Sequence, residues 1–232
     1  MQSPIVTMTL LKYKGFPNKF WAFTMMQFAH KYLKNISGLK FYKLMGTGSG
    51  NGFKVSADFS TYALLNVWES EEQANDFLDN GELFKLYRKK SIEQFTVYMH
   101  PIKSHGLWSK QNPFKPDADV PGDYTAVVTR ATIATKHLIR FWRYVPGTSK
   151  TLEKYDGLVY AKGVGEWPIK QMATFSLWKD EKSMLAYAYK NHEHMKVVKK
   201  TRELNWYSEE LFARFRPYKS IGTWQGKKLL PF

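Results

Sequence analysis

Apolar residues along the chain fall in short alternating or continuous runs, such as IVTMTLL near Ile5 and YTAVVTRATI near Tyr124, which is the signature of strands. Each of these runs precedes a segment with helical spacing, Phe20 to Lys34 in one case and Lys136 to Tyr144 in the other. Two more strand-like runs follow each helix. They are Lys40 to Met45 and Tyr62 to Trp68 in the first region, and Leu158 to Gly163 and Met172 to Trp178 in the second. Ser70 and Asp180 then stand at helix N-cap positions, each with acidic residues just after. A second helical segment and a last strand, Phe95 to Lys103 and Leu211 to Lys219, complete each region. The order β-α-β-β-α-β is that of a ferredoxin-like module.

The same pattern twice implies a duplication, and the residues bear this out. WESEEQANDFLDNGELFKLYRKKS from Trp68 aligns without a gap on WKDEKSMLAYAYKNHEHMKVVKKT from Trp178. Upstream, GLKFYKLMGTG from Gly38 lies on GLVYAKGVGEW from Gly157; downstream, SHGLW from Ser104 lies on SIGTW from Ser220. The stretch between, SKQNPFKPDADVPGD, holds three prolines and no apolar period, so it reads as a linker. The expected organisation is a first module over 1–108, a linker over 109–123 and a second module over 124–232. Two such modules can set their sheets face to face as a pseudo-symmetric α+β barrel with the helices outside.

Composition narrows the chemistry. At 44 % apolar and 16 % aromatic residues the chain of 232 has ample material for a core. Cysteine is absent, which removes disulfides, thiolate catalysis, zinc–cysteine sites and iron–sulfur clusters together. No apolar run has the length of a membrane span and no signal peptide is evident, so a soluble, cytoplasmic protein is expected. The formal charge is +15, from 35 Lys and Arg against 20 Asp and Glu. No helix-turn-helix, zinc-finger or RNA-binding signature accompanies that charge, and the lysines are dispersed, so nucleic acid is not the expected partner.

The repeat singles out one histidine. The helix break at Asn80-Gly81 recurs at Lys190-Asn191, so His192 to Leu204 reads as a separate short helix with His194, Val197, Val198 and Thr201 on one face. The corresponding face of the first module is Phe84, Tyr87, Arg88 and Ser91. His194 thus replaces an inward-packing aromatic. It is either a packed core residue or an imidazole aimed at a pocket, the latter being the geometry of a proximal haem ligand. His192 points to nearly the opposite side. The remaining histidines form no i, i+4 ligand pair, and no G-x-S-x-G nucleophile elbow occurs. The run GTGSGNG from Gly46 is followed by strand-like sequence without Gly-Lys-Ser or Gly-Lys-Thr, so it reads as a connection and not a phosphate loop.

Several longer blocks resemble the spheroidene monooxygenase family over nearly the whole chain: FYKLMGTGSGNGF, VVTRATI, FWRYVP, KGVGEWP followed by ATFSLWKDEKSM, and NWYSEELFARFRPY. The last two are the most specific. His194 falls on the family's single histidine before the Trp-Phe-Ser-Glu-Glu-Leu string; Tyr207 stands where the family usually has Phe, and His192 is additional. The resemblance implies the dimeric α+β barrel fold, which includes haem enzymes such as aldoxime dehydratases and chlorite dismutases. It also implies haem b as cofactor, with iron on His194 Nε2, and two hydroxylations at C2 of an acyclic carotenoid that end in a ketone.

On that resemblance, Arg130 within VVTRATI is a candidate catalytic or haem-carboxylate partner, and Ser176 within ATFSLW is a candidate donor to bound oxygen. For each the residues also allow a plain alternative, a solvated arginine and a space-filling serine. Arg140, Arg143, Arg214 and Arg216 are further candidates for the haem carboxylates, and Arg214 and Arg216 share a strand face. Electrons would come from an external donor such as ferredoxin. A basic surface suits both an acidic donor and reversible contact with an anionic membrane that holds the carotenoid. Two other readings stay open: a haem enzyme of this fold with another reaction, such as aldoxime dehydration or nitrogen oxidation, and a cofactor-free barrel that binds a hydrophobic molecule. With both modules in one chain, either a monomer or a homodimer is compatible.

Overall fold

The computed structural model describes residues 4–50, 56–117, 120–142, 155–190, 201 and 203–232. The first half runs β1 (Ile5–Lys12), α1 (Phe16–Phe28), α2 (His30–Leu33), β2 (Leu39–Gly48), β3 (Ala57–Trp68), α3 (Glu71–Asn80), α4 (Glu82–Lys90) and β4 (Glu93–Gly106). The second runs β5 (Thr125–Ile133), β6 (Leu158–Trp167), β7 (Gln171–Trp178), α5 (Glu181–Lys190) and β8 (Tyr207–Gly222). After β5 come a 3-10 turn, Thr135–His137, and helical residues 138–142. The expected caps form: Ser70 Oγ accepts from the Gln73 N–H at 3.4 Å, and Asp180 Oδ1 from the Ser183 N–H at 2.6 Å. The helix break also falls as expected, between Asn80 and Glu82 at Gly81.

Strands pair antiparallel in the order β4-β1-β3-β2 in the first half and β8-β5-β7-β6 in the second. Two seams close all eight strands into one barrel. The β4–β8 seam is long, from Phe95↔Gly222 to Gly106↔Leu211, whereas β2 meets β6 only at Gly46↔Gly165 and Thr47↔Val164. The long seam is itself pseudo-symmetric. Gly106 (φ +87°) and Gly222 (φ +86°) occupy matching ends of it, and a Cβ at either would lie 2.2 Å from a carbonyl oxygen, that of Glu210 or Gln94. Only glycine fits both the backbone angle and that approach.

Alternation along the strands sends every second residue inward. Val6, Met8, Leu10, Leu65, Val67, Val97, Val128, Phe175, Leu177 and Phe215 meet in one continuous buried cluster, so the barrel lumen is a packed core and not a channel. Within residues 109–117, expected as linker, Phe114 enters this core while most of its neighbours stay exposed. Trp108 pairs with Gln111 in a bridge, and Phe114 is buried edge-on against Phe215. The end of the chain repeats the device with a Trp224–Lys227 bridge and buried Leu230.

Candidate functional site

The two halves share strand register but not the side chains on the outer sheet face. In the first half Tyr42 and Leu44 of β2 lie beside Asn66 and Leu64 of β3, and Leu11 of β1 lies beside Tyr62. In the second half the same places are taken by Ala161 and Gly163 of β6, Ser176 and Thr174 of β7, and Ala131 beside Met172. Three leucines and a tyrosine thus become alanine, glycine, threonine and alanine. The first-half face is filled: Leu11, Leu44, Tyr62 and Leu64 pack under Met25, Leu33, Phe77, Phe84 and Tyr87 from the helices. In the second half Thr129, in the middle of central strand β5, is exposed, whereas its counterpart Thr9 is 1 % exposed and bonded to Thr96. The exposed Thr129 marks a bay over this sheet, while the small residues around it, Ala131, Ala161 and Gly163, are buried.

Small residues form the floor of the bay, and apolar clusters stand at its two ends. At one end Val127, Ala161, Trp178 and Met184 pack with Tyr155, Leu185, Tyr187 and Phe212. At the other, Ile133, Phe141 and Trp206 pack with Leu138, Trp142, Met172 and Tyr207. Ser176 lies on the floor, where its Oγ accepts the Trp178 indole N–H at 2.9 Å. In the first half the matching Trp68 indole donates to Thr7 instead, also at 2.9 Å. Val127 occupies the place of Thr7, which leaves Ser176 as the acceptor. An indole N–H only donates, so the Ser176 hydroxyl proton is free to point elsewhere.

Arg214 and Arg216 share the outer face of β8, as their spacing implies. Arg214 donates to Glu181 at the start of α5 at 2.5 Å, and Arg216 lies 4.0 Å from the same carboxylate. Arg216 also donates to the Tyr124 carbonyl and to Thr125 Oγ1. The Nε atoms of both Arg214 and Arg216 are buried with no hydrogen-bond partner among the described residues. Arg140 is exposed on the helical residues past the far end of β5. Arg143, His192 and His194 lie outside the described residues.

Arg130 points the other way, into the barrel. Its side chain is 2 % exposed and forms an ion pair with Glu209, with Glu166 at 3.6 Å. Glu166 also accepts from the Trp108 indole at 2.6 Å and from Lys43 at 2.5 Å. Burial works against the charge of Glu209, but the N–H groups of Lys110 and Ser109 and the Arg130 guanidinium outweigh it and hold the carboxyl below the usual range. Arg130 and Ser176 therefore sit on opposite faces of the sheet and do not share a site. Of the other histidines, His30 is bonded to Tyr42, His100 stacks on Tyr218 and His105 stacks on Phe212.

Fold and site together define a single-chain α+β barrel of two ferredoxin-like halves, whose outer sheet faces carry bulky side chains in the first half and small ones in the second. No family model matches the chain. It is 31 % identical to the spheroidene monooxygenase of Rhodobacter capsulatus over 227 residues, covering 97 % of this chain and 94 % of the relative. It is 32 % identical to the protein of the same name from Cereibacter sphaeroides over 226 residues, 96 % of this chain and 69 % of that one. The chain belongs to the spheroidene monooxygenase family. Among solved structures, two aldoxime dehydratases share the fold at 9 % identity: one has a TM-score of 0.65 over 95 % of this chain and 85 % of its own. The other, in complex with butyraldoxime, has a TM-score of 0.63 over 94 % and 80 %.

Proposed function

We propose that the protein is a haem-dependent monooxygenase that oxidises C2 of an acyclic carotenoid such as spheroidene, by two hydroxylations and loss of water, to a 2-keto product. Family membership supports the reaction class, and the exchange of Tyr42 and three leucines for Ala161, Gly163, Thr174 and Ala131 is the observation that carries the site. A flat macrocycle needs a floor without protruding side chains, and the outer face of the second half is such a floor. Haem, when bound, supplies dioxygen activation, with electrons from an external donor such as ferredoxin.

The chain's own residues have these roles in the proposal. His194 would hold the iron: the repeat pairs it with Phe84, which is buried against Phe77 in the layer between helices and sheet. Ser176 presents its hydroxyl proton to the reacting centre, since the Trp178 indole fixes the oxygen as an acceptor. Arg214 and Arg216, each with an Nε unpartnered among the described residues, are the first candidates for the haem carboxylates, and Arg140 and Arg143 are the others. Met172 and Phe212 line an apolar surroundings for a polyene and keep water from it. Arg130 faces the barrel interior, away from Ser176, and ties β5 to its neighbour β8 through Glu209.

The test is expression with ample haem in cells that make spheroidene, with product analysis and a visible spectrum. A 2-keto carotenoid and a Soret band, lost in His194→Ala and kept in His192→Ala, are expected. A colourless protein defeats the cofactor assignment. Normal haem binding without a keto product defeats the substrate assignment, and a Soret band lost only in His192→Ala moves the ligand.

A further inference from the structure

Helix α1 is apolar on both sides. Ala22 and Met25 are buried against the first-half sheet, together with Ala29 just beyond the helix. On the opposite side, at i, i+4 and i+7, stand Phe16, Phe20 and Phe23, which are 79 %, 57 % and 52 % exposed. Phe16 and Phe20 stack at 6.0 Å, and Phe23 meets exposed Phe59 of β3 edge-on at 5.9 Å. Phe28, 60 % exposed, extends the patch toward an open cavity of about 630 Å³ between α1 and β2, where Phe23, Met26 and Leu44 are among the lining residues. A surface helix normally turns polar residues outward, and clustered exposed phenylalanines mark a surface that something covers.

The charge around the patch identifies the occupant. From Lys12 to Lys34 the sequence holds five lysines and no aspartate or glutamate. Lys14, Lys31 and Lys34 are exposed, and Lys19 lies within the helix between the phenylalanines. A symmetric dimer through this face would set the same lysines against themselves, which is unfavourable. An anionic bilayer answers both features, since aromatic rings enter the headgroup boundary while lysine stems reach back to lipid phosphates. We propose that the outer face of α1, with Phe59, is the surface by which this protein docks reversibly on anionic membranes. The proposal does not depend on the reaction proposed above.

Cosedimentation of the full chain with phosphatidylcholine vesicles, with and without about 30 % phosphatidylglycerol, at low and high salt, tests it. Binding to the anionic vesicles that weakens at high salt is expected. Phe16→Ser/Phe20→Ser/Phe23→Ser should lower partition roughly a hundredfold. Lys14→Gln/Lys19→Gln should lower it about twentyfold. Trp167→Ser/Ile169→Ser, on the second half and also exposed, should leave it unchanged. Equal sedimentation of wild type and both α1 variants overturns the proposal. A dimer that the phenylalanine variant converts to monomer also overturns it, because a second copy is then the occupant. Circular dichroism melts establish that the variants fold, and the lysine pair tests the face without touching its apolar area.

Discussion

Two halves with one strand register treat the space between sheet and helices in opposite ways. The first half packs it over its central strands with Leu11, Leu44, Tyr62 and Leu64 beneath Met25, Phe77, Phe84 and Tyr87, seals its central threonine Thr9, and stays open only at the β2 edge beside α1. The second removes that bulk and leaves Thr129 open. On the function proposed above, the duplicated fold divides labour: one copy supplies stability, and the other gives up packing to make room for a ligand. The barrel core beneath is shared, so the loss on one outer face does not open the lumen.

This division predicts unequal responses at matched positions. Leu64→Ala should destabilise by about 3 kcal/mol, because it leaves a cavity in a closed layer, whereas Thr174→Ala at the matching place should cost less than about 1 kcal/mol. Chemical denaturation of the two variants measures the contrast, and equal losses would break it. Glu209→Gln comes next, at about 2 kcal/mol, since it leaves the buried Arg130 with Glu166 alone at 3.6 Å. The sign with pH follows from the depressed carboxyl. Unfolded glutamate titrates near 4.3, so the contribution is full above roughly pH 4.3 and is lost as pH falls through the lower folded value. The wild type and Glu209→Gln should therefore converge in stability in acid, and a gap that persists there contradicts the assignment. Ser176→Ala is the smallest structural change, about 1 kcal/mol for the lost indole acceptor. Turnover in that variant should nevertheless drop about tenfold or more, while Asn66→Ala in the first half leaves turnover intact.

Much of the fold was legible because the duplication repeats each strand, cap and helix break. Ser70, Asp180 and Gly81 announce their roles locally, and the β-α-β-β-α-β order needs only period and turn chemistry. The residues around Phe114 were less legible, since prolines without periodicity look like a linker. The matching Leu230 carried the missing signal, since it stands at the same distance after Trp224 as Phe114 after Trp108. Arg130 illustrates a different limit. A charge inside an apolar strand reads as solvated or as part of a site, and here it is buried inside the barrel and paired with Glu209, far away in sequence. The bay itself was encoded in the repeat, in Tyr42 over Ala161 and Leu44 over Gly163, but it becomes readable only when strand register shows which residues face outward.

The most direct measurement is a haem titration of the purified protein beside the variant Ala161→Tyr/Thr174→Leu, which restores two first-half side chains to the second-half floor. The wild type should develop a saturable Soret band, and the refilled variant, its fold checked by circular dichroism, should lose it. A refilled variant that takes up haem as the wild type does would contradict the claim that the cleared face is the cofactor site.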